Sequence, residues 1–488
     1  MKKYILFAIV LLTFSSCRKW LDVKPVSQVS EEDLFKTPEG FEESLNGIYT
    51  RCAQKELYGF ELTGGLPEAL AQNYTFTGED YQRYQQTADY SYKDGFFIAR
   101  KDAIWNGLYN AIANCNLLLY NLDAKKEILP ADRFALIKAE ALALRGYLHF
   151  DLLRLFGPSF KSNPSAKSVP YVTDFSNKVA QLLTVTEVLS KIITDLSAAK
   201  ELIRPVDPIV SAGYRTGYNT DVPSTEESSQ NLFLQNRRHR MNYYAICAEL
   251  ARVNLYMDKK NDALNNAAEV IASKKFPWTA TADFIDPDPK NKDRILYKEQ
   301  VFAWYIPALK DTLDARFNSG VKSLFIEENA GNTLYETGGV GAEDVRFKQW
   351  FKGVSGSSSF NRLELQKYLR DNDKNRHYLV APAIRYSEMF YIAAECLYDT
   401  DPVTALALLN TVRYNRGMGI PLAVANKDEL IKELVKDARK EFYAEGQIFY
   451  MYKRLHASIA GQRGSSIPPS DKIFVLPLPD NEIEFGNR

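Results

Sequence analysis

Residues 133–156 constrain this chain more than any other segment, because they are apolar nearly all the way round a helix. Phe134, Leu136, Ile137, Leu142, Leu144, Tyr147, Leu148, Leu152, Leu153 and Phe156 recur at helical spacing, and Gly157-Pro158 stops the run. Such a helix has no face to give to water, so other elements must cover it on every side. Two candidates are at hand. Residues 105–122 place Trp105, Leu108, Tyr109, Ile112, Cys115 and Leu119 on one side of a helix, and residues 188–202 form another, ended by Pro205. Strand signals are sparse, so the expected fold is mainly α.

A faint internal repeat supports this. Leu255-Tyr256, six residues, then Ala263-Leu264 matches Leu397-Tyr398, six residues, then Ala405-Leu406. Each copy reads as a helix, a polar turn and a second helix, over 241–273 and 387–416, close to the roughly 34-residue tetratricopeptide unit. Two unrelated helical hairpins would give the same pattern. Between the helices lie stretches of different texture. Residues 59–95 carry Tyr74, Phe76, Tyr81, Tyr84, Tyr90 and Tyr92 among polar residues, without a sustained period. Residues 277–378 carry Trp278, Trp304, Tyr305, Phe325, Tyr335, Trp350, Phe351 and a Gly/Ser-rich run over 353–359, and residues 213–230 form a third irregular insertion. Long irregular segments of this kind are usually functional or disordered.

The start of the chain has the three-part layout of a secretory signal: Lys2-Lys3, an apolar run from Tyr4 to Phe14, then Ser15-Ser16-Cys17. The run is too short to span a bilayer. A small residue before cysteine suits lipid attachment at Cys17, against the alternative of an ordinary secretory signal with an incidental cysteine. Residues 1–16 then form the signal peptide, 17–30 a lipidated tether, and 31–488 one helical domain. That domain divides into an N-terminal half over 31–276, insertion loops over 277–378 and a C-terminal half over 379–488.

Charge excludes one class of partner. With 61 basic residues balancing 61 acidic ones, no bulk field draws nucleic acid. No GxSxG elbow, phosphate-cradling GxxxxGK[ST], dinucleotide GxGxxG or HExxH occurs, and His149, His239, His377 and His456 are scattered without a zinc-ligand pair. The reading therefore assigns no catalytic residue, metal or cofactor. Cys115, Cys247 and Cys396 sit inside apolar helical patterns and read as buried thiols; with Cys52 they are too few and too scattered for a disulfide scaffold. Aromatic residues reach 12%, more than many cores use, so some are expected at a binding surface. Sugar rings stack their C–H faces on Trp and Tyr while Asn, Asp, Gln and Arg satisfy the hydroxyls, so the mixed loops suit carbohydrate.

Motifs along nearly the whole chain resemble the SusD/RagB family of nutrient-binding outer-membrane lipoproteins from the Bacteroidota. After Cys17 comes Trp20-Leu21-Asp22-Val23-Lys24-Pro25, then Leu45-Asn46-Gly47-Ile48-Tyr49. Trp105, Tyr109, Ile112 and Asn116 are similar to the family's W-x3-Y-x2-I-x3-N helix, and Glu140 to Arg145 through Arg154 to Gly157 to its most distinctive segment, with Val169-Pro170-Tyr171 following. Arg385, Ser387-Glu388 and Ala394-Glu395, then Asn410, Arg413 and Arg416-Gly417, continue the series. Lys440-Glu441, Glu445-Gly446, Lys453-Arg454 and the tail Leu476-Pro477-Leu478-Pro479 with Glu482-Ile483 complete it.

The resemblance implies a SusD-like fold of tetratricopeptide-like pairs packed against a loop-rich lobe. It also implies a non-catalytic protein that captures oligosaccharide and delivers it to a SusC-like TonB-dependent β-barrel transporter. On this reading the protein is lipid-anchored at the outer membrane, facing the cell surface, although Arg18-Lys19 ahead of the single Asp22 leaves both leaflets open. The same fold binding peptide or another small nutrient, or a surface glycoside hydrolase, are the alternatives. Shared charged residues such as Arg145, Glu388, Glu395, Arg413 and Arg454 are expected to pair or cap within the helical body. Ligand contacts are expected in the two aromatic loops, at Tyr74, Tyr81, Tyr90, Tyr92, Trp304 and Trp350, with Asn73, Asp80 and Arg83 as polar partners.

Overall fold

A computed structural model describes residues 31–76, 80–176, 178–218, 224–354, 361–370, 378–461 and 464–486. The expected signal peptide, Cys17 and its tether lie outside the described residues. Helix α1, Pro38–Cys52, starts with Pro38 in its first turn and Thr37 accepting from the Gly40 amide. Helix α2, Gly95–Ala124, runs for 30 residues and begins ten residues before the period around Trp105, because Asp94 caps the Phe96 and Phe97 amides upstream. Helix α3, Ala131–Phe156, is the expected central helix, and every residue from Ala143 to Phe156 is buried. Thr184 and Glu187 form a reciprocal capping box that opens α4, Val185–Ile203. Gly146 lets α3 approach α4 closely, since a Cβ there would sit 3.2 Å from Leu196 Cγ.

Two helical hairpins stand where the repeat places them: α5, Tyr243–Tyr256, with α6, Lys260–Ser273, and α8, Tyr386–Leu397, with α9, Pro402–Tyr414. The small residues of the repeat, Ala263 and Ala405, are fully buried. From α1 through α6 each helix packs on the next, and α6 packs on α8, so the hairpins continue one layered stack. Between α6 and α8 the eight-residue α7, Glu328–Tyr335, belongs to the insertion, and α10, Lys427–Glu441, and α11, Ile448–Leu455, follow the second hairpin.

The insertion is more regular than its sequence suggests. Strand β1, Gln300–Tyr305, pairs antiparallel with β5, Val380–Arg385, the strand that leads into α8. Strands β2, Phe325–Glu327, β3, Phe351–Val354, and β4, Arg362–Leu365, form a second sheet in the order β2-β4-β3. These strands are short, and β5 is buried along its whole length, so neither helical period nor clean alternation marks them.

Charged residues at motif positions tie the helices together. Arg145 donates to both oxygens of Asp195 on α4 at 2.6 and 2.8 Å, Arg252 grips Glu388 at 2.6 and 2.7 Å, and Arg454 grips Glu395 at 2.7 and 2.6 Å. Arg413 has a different partner, the Ile420 carbonyl at 3.2 Å. Cys52, Cys115, Cys247 and Cys396 are free and buried.

Glu68 pins the first aromatic loop to the C-terminal half. Its Oε2 accepts from Asn73 Nδ2 at 2.7 Å and the Ala444 amide at 2.9 Å, and its Oε1 from the Gly446 amide at 2.8 Å. Gly446 has φ +71, and a Cβ there would lie 2.0 Å from the Leu62 carbonyl oxygen, which explains the glycine of the Glu445-Gly446 motif. Burial pushes the Glu68 carboxyl up to about 7 against these hydrogen bonds. A raised carboxyl stabilises the fold fully below its unfolded value and loses that contribution as pH rises through the folded value. Glu68→Gln puts an NH2 group against an amide donor and is expected to lower stability by about 1–3 kcal/mol. Its urea-unfolding free energy is also expected to fall less between pH 5 and pH 8 than that of wild type. Equal slopes in the two proteins would show that Glu68 does not titrate in this window.

Candidate ligand cleft

Strand β1 builds the site by alternation, since successive side chains of a strand point to opposite faces. Trp304 points inward, 1% exposed, stacked on Tyr58 at 4.3 Å between ring centroids and edge-on to Tyr147 at 5.7 Å. Tyr305 points outward and is 48% exposed. Its ring lies nearly parallel to His239, 6.0 Å between centroids and 14° between planes, and Tyr378 stands edge-on to His239 at 5.4 Å. These three rings flank a cleft of about 820 Å³ whose opposite wall is the C-terminal part of α1 and the turn after it, including Asn46, Tyr49, Gln54 and Lys55.

Beneath the cleft lies a buried polar anchor. Tyr49 donates to Glu140 Oε2 at 2.8 Å and accepts from the Met241 amide at 2.8 Å. Arg240 donates to the same Glu140 oxygen at 2.9 Å and to Asn46 Oδ1 at 2.8 Å, and Arg237 lies 2.7 Å from Glu140 and 2.9 Å from Asp207. Burial pushes the Glu140 carboxyl up, but the Arg240 and Arg237 guanidiniums outweigh it and hold it below its ordinary 4.5. The anchor fixes α1 against residues 237–241 and hence sets the width of the cleft.

Two polar atoms on the lining are buried and take no partner among the described residues: Nη2 of Arg240, a donor, and Oδ1 of Asn236, an acceptor. Asn236 holds a left-handed backbone, φ 47°, and its Nδ2 donates to Glu227 at 3.3 Å, the carboxylate that also accepts from Tyr378 at 2.6 Å. Burial and the Arg238 charge push the His239 imidazole down to about 3, so the ring is neutral across physiological pH. Rings beside an unpaired donor and an unpaired acceptor suit a ligand with C–H faces and hydroxyls. Among the described residues no cluster of His, Cys, Asp and Glu could hold a metal ion.

The residues expected to touch ligand are dispersed, and most of them do structural work instead. Asn73 is buried on Glu68, and Tyr74 is buried with its hydroxyl on the Gly64 carbonyl at 2.6 Å. Tyr90 donates to the Leu70 carbonyl at 2.8 Å, and Tyr92 bonds the Ile473 carbonyl while stacking on Phe97 at 4.5 Å. Trp350 is fully buried, with Nε1 donating to the Arg294 carbonyl at 2.7 Å. Trp304 is buried too and backs the cleft from behind, its ring 6.1 Å from that of Tyr49. Burial corrects the expectation for Tyr74, Trp304, Trp350 and Asn73, because a ring or amide closed off by protein cannot meet a ligand, whereas Tyr90 and Tyr92 are half-buried and lie away from the cleft lining. Asp80 accepts from the Gln85 amide at 2.7 Å, whereas Tyr81 and Arg83 lie exposed, away from the cleft lining. Of the residues that line the cleft, His239, Asn236 and Arg240 belong to no aromatic loop and carry no signal in the sequence by themselves. Tyr305 was within reach, one step along the strand from Trp304.

Residues 210–485 match a family model described as "SusD family", and residues 19–208 match one described as "Starch-binding associating with outer membrane". A SusD-like protein of Formosa agariphila is 22% identical, with 93% of this chain and 91% of that protein aligned. Among solved structures, a SusD superfamily protein of Bacteroides thetaiotaomicron superposes with a TM-score of 0.73 at 22% identity, covering 92% of this chain and 98% of the other. A surface glycan-binding protein A from the same organism, in complex with laminarihexaose, superposes with a TM-score of 0.66 at 16% identity, covering 92% and 98%. The ordered motifs, the layered helical hairpins and a family match over more than half its length together show that this chain belongs to the SusD/RagB family.

Proposed function

We propose that this protein binds oligosaccharide in the cleft beside Tyr305 and does so without catalysis. The carrying observation is the half-exposed Tyr305 ring, backed by His239 and flanked by two buried polar atoms without partners among the described residues. The starch-binding description of the family model and the laminarihexaose held by a structural neighbour support carbohydrate as the ligand class. Delivery to a TonB-dependent β-barrel transporter, and tethering to the outer membrane through lipid on Cys17, complete the reading. No helix among the described residues is long and apolar enough to cross a membrane.

Laminarihexaose serves as the first calorimetric probe, with a glycan array beside it. Tyr305→Ala is expected to weaken the best ligand by about tenfold or more, because an aromatic anchor is lost. Trp350→Ala is expected to leave affinity unchanged per folded molecule while lowering stability by about 3–5 kcal/mol. A glycan ligand that Tyr305→Ala binds as well as wild type would remove the cleft from the proposal. Release of shortened product from the incubated glycan would revive the hydrolase.

The neutral His239 gives a second expectation. Its depressed folded value keeps the imidazole uncharged from pH 8 down past pH 5, so affinity for a neutral oligosaccharide should be flat over that range. A steep loss between pH 7 and pH 5 would show that the ring protonates in the complex. In fractionation, Cys17→Ala is expected to fold and leave the membrane pellet, and its retention there would overturn the anchor.

A further inference from the structure

A second groove, of about 890 Å³, lies between α7 and α10, and among the described residues its lining holds no aromatic ring. Ile326, Ala330 and Leu334 line it together with Glu327, Asn329, Thr333 and Glu336 from in and around α7, and Lys436 and Arg439 line it from α10. Arg439 sets it apart. The residue is half-buried, its Nε is shut off from solvent without a hydrogen-bond partner, and among the described residues no carboxylate pairs with it.

This isolation is unusual for the neighbourhood. On the same helix Asp437 pairs with Arg346 at 3.1 Å, Lys440 with Glu336 at 2.5 Å, and Lys436 with Glu433 at 2.7 Å. Glu336, the carboxylate at the groove nearest these lysines, is thus committed to Lys440, with Lys436 3.8 Å away. Only Nε of Arg439 is closed off, and with no carboxylate on the side chain among the described residues its guanidinium is left to meet a carboxylate from a ligand. Planar, bidentate recognition of a carboxylate is what the group does best. The same lining offers the Asn329 amide, the Glu327 carboxylate and the Thr333 hydroxyl, the last as an acceptor since its proton goes to the Asn329 carbonyl at 2.8 Å, groups suited to sugar hydroxyls. The apolar side chains of Ile326, Ala330 and Leu334 suit the C–H face of a sugar.

We infer that this groove is a second saccharide site, selective for a uronate residue whose carboxylate pairs with Arg439. It is separate from the cleft at Tyr305, with which it shares no lining residue. Trigalacturonate is the probe, galactotriose its neutral counterpart and tri-aspartate the acidic peptide control, each titrated calorimetrically into the whole protein. The expected result is binding of trigalacturonate at least about tenfold tighter than galactotriose, lost by about tenfold or more in Arg439→Gln and unchanged in Tyr305→Ala. Thr333→Trp fills the groove from an exposed position on α7 and keeps the Arg439 side chain, and should abolish binding at unchanged melting temperature. That variant carries the test if Arg439→Gln fails to fold. No binding of trigalacturonate, equal binding of galactotriose, equal or tighter binding of tri-aspartate, or full affinity in Thr333→Trp would each overturn the assignment.

Discussion

A buried lattice of charges holds the insertion to the C-terminal half, and the cleft beside Tyr305 and the groove at Arg439 both border elements that it ties together. Glu441, at the end of α10, bonds Arg385 at the end of β5, Arg416 just past α9 at 2.7 Å, and Arg346 from the insertion at 2.9 Å. Arg416 continues to Glu299 just ahead of β1 at 2.5 Å, Arg385 to Glu445 at 2.7 Å, and Glu445 to Lys367. Arg346 also bonds Asp344 at 2.7 Å and Asp437 at 3.1 Å. Burial pushes the Glu441 carboxyl up, but Arg416, Arg385 and Arg346 outweigh it and hold it well below the usual carboxylate range. Such a lattice is a poor source of net stability, because each charge loses its water on burial, yet removing one member leaves the others unpaired at a cost of about 3–5 kcal/mol. What it supplies is registration. Strands β1 and β5, helices α9 and α10 and the insertion meet in an arrangement that gives Arg346, Arg385, Arg416 and Lys367 each a carboxylate.

Registration is what turns sequence into a site here. Arg385 and Glu299 fix the β1–β5 ladder at one end, where Gln300 faces Arg385. The same ladder, run to its other end at Tyr305, decides which ring is buried and which is presented. A slip of one residue would bury Tyr305 and expose Trp304. Trp304 is held by Tyr58, Tyr147 and Phe302, the last at 4.7 Å, so the slip would break a packed aromatic cluster. The cleft is therefore specified from its back, by rings that never meet the ligand, and from below, by the Glu140 anchor that joins α3 to Tyr49 and Arg240.

The helical body was legible in the sequence because burial around a 3.6-residue period leaves a strong mark, as residues 133–156 and the two hairpins show. Motif positions such as Arg145, Glu388, Glu395 and Arg454 were also legible as ion-pair members. Their partners were less so, since Asp195 lies 50 residues from Arg145 and Arg252 lies 136 from Glu388. The strands of the insertion were hidden by brevity, and with them the register that selects Tyr305 over Trp304. Arg240 and Asn236 were illegible for a different reason: what marks them is an unpaired atom, a property of three-dimensional surroundings.

The aromatic surplus has a physical explanation that bears on where ligands go. A lobe made of short strands and short helices has few long apolar faces, and large rings fill such irregular interiors with few residues. Phe347, Phe351, Tyr335 and Tyr443 do so in succession, with ring centroids 5.2 to 5.8 Å apart. Tyrosine adds a hydroxyl that satisfies a buried backbone carbonyl, as Tyr335 does for Lys440, Tyr368 for Ala444 and Tyr443 for Asn73. Each bond removes a polar group that loop backbone would otherwise bury unpaired. Aromatic density in such loops thus reports the burial problem first and ligand chemistry only at its margin. Exposure together with an unpaired polar atom separates the two, and that pairing occurs beside Tyr305.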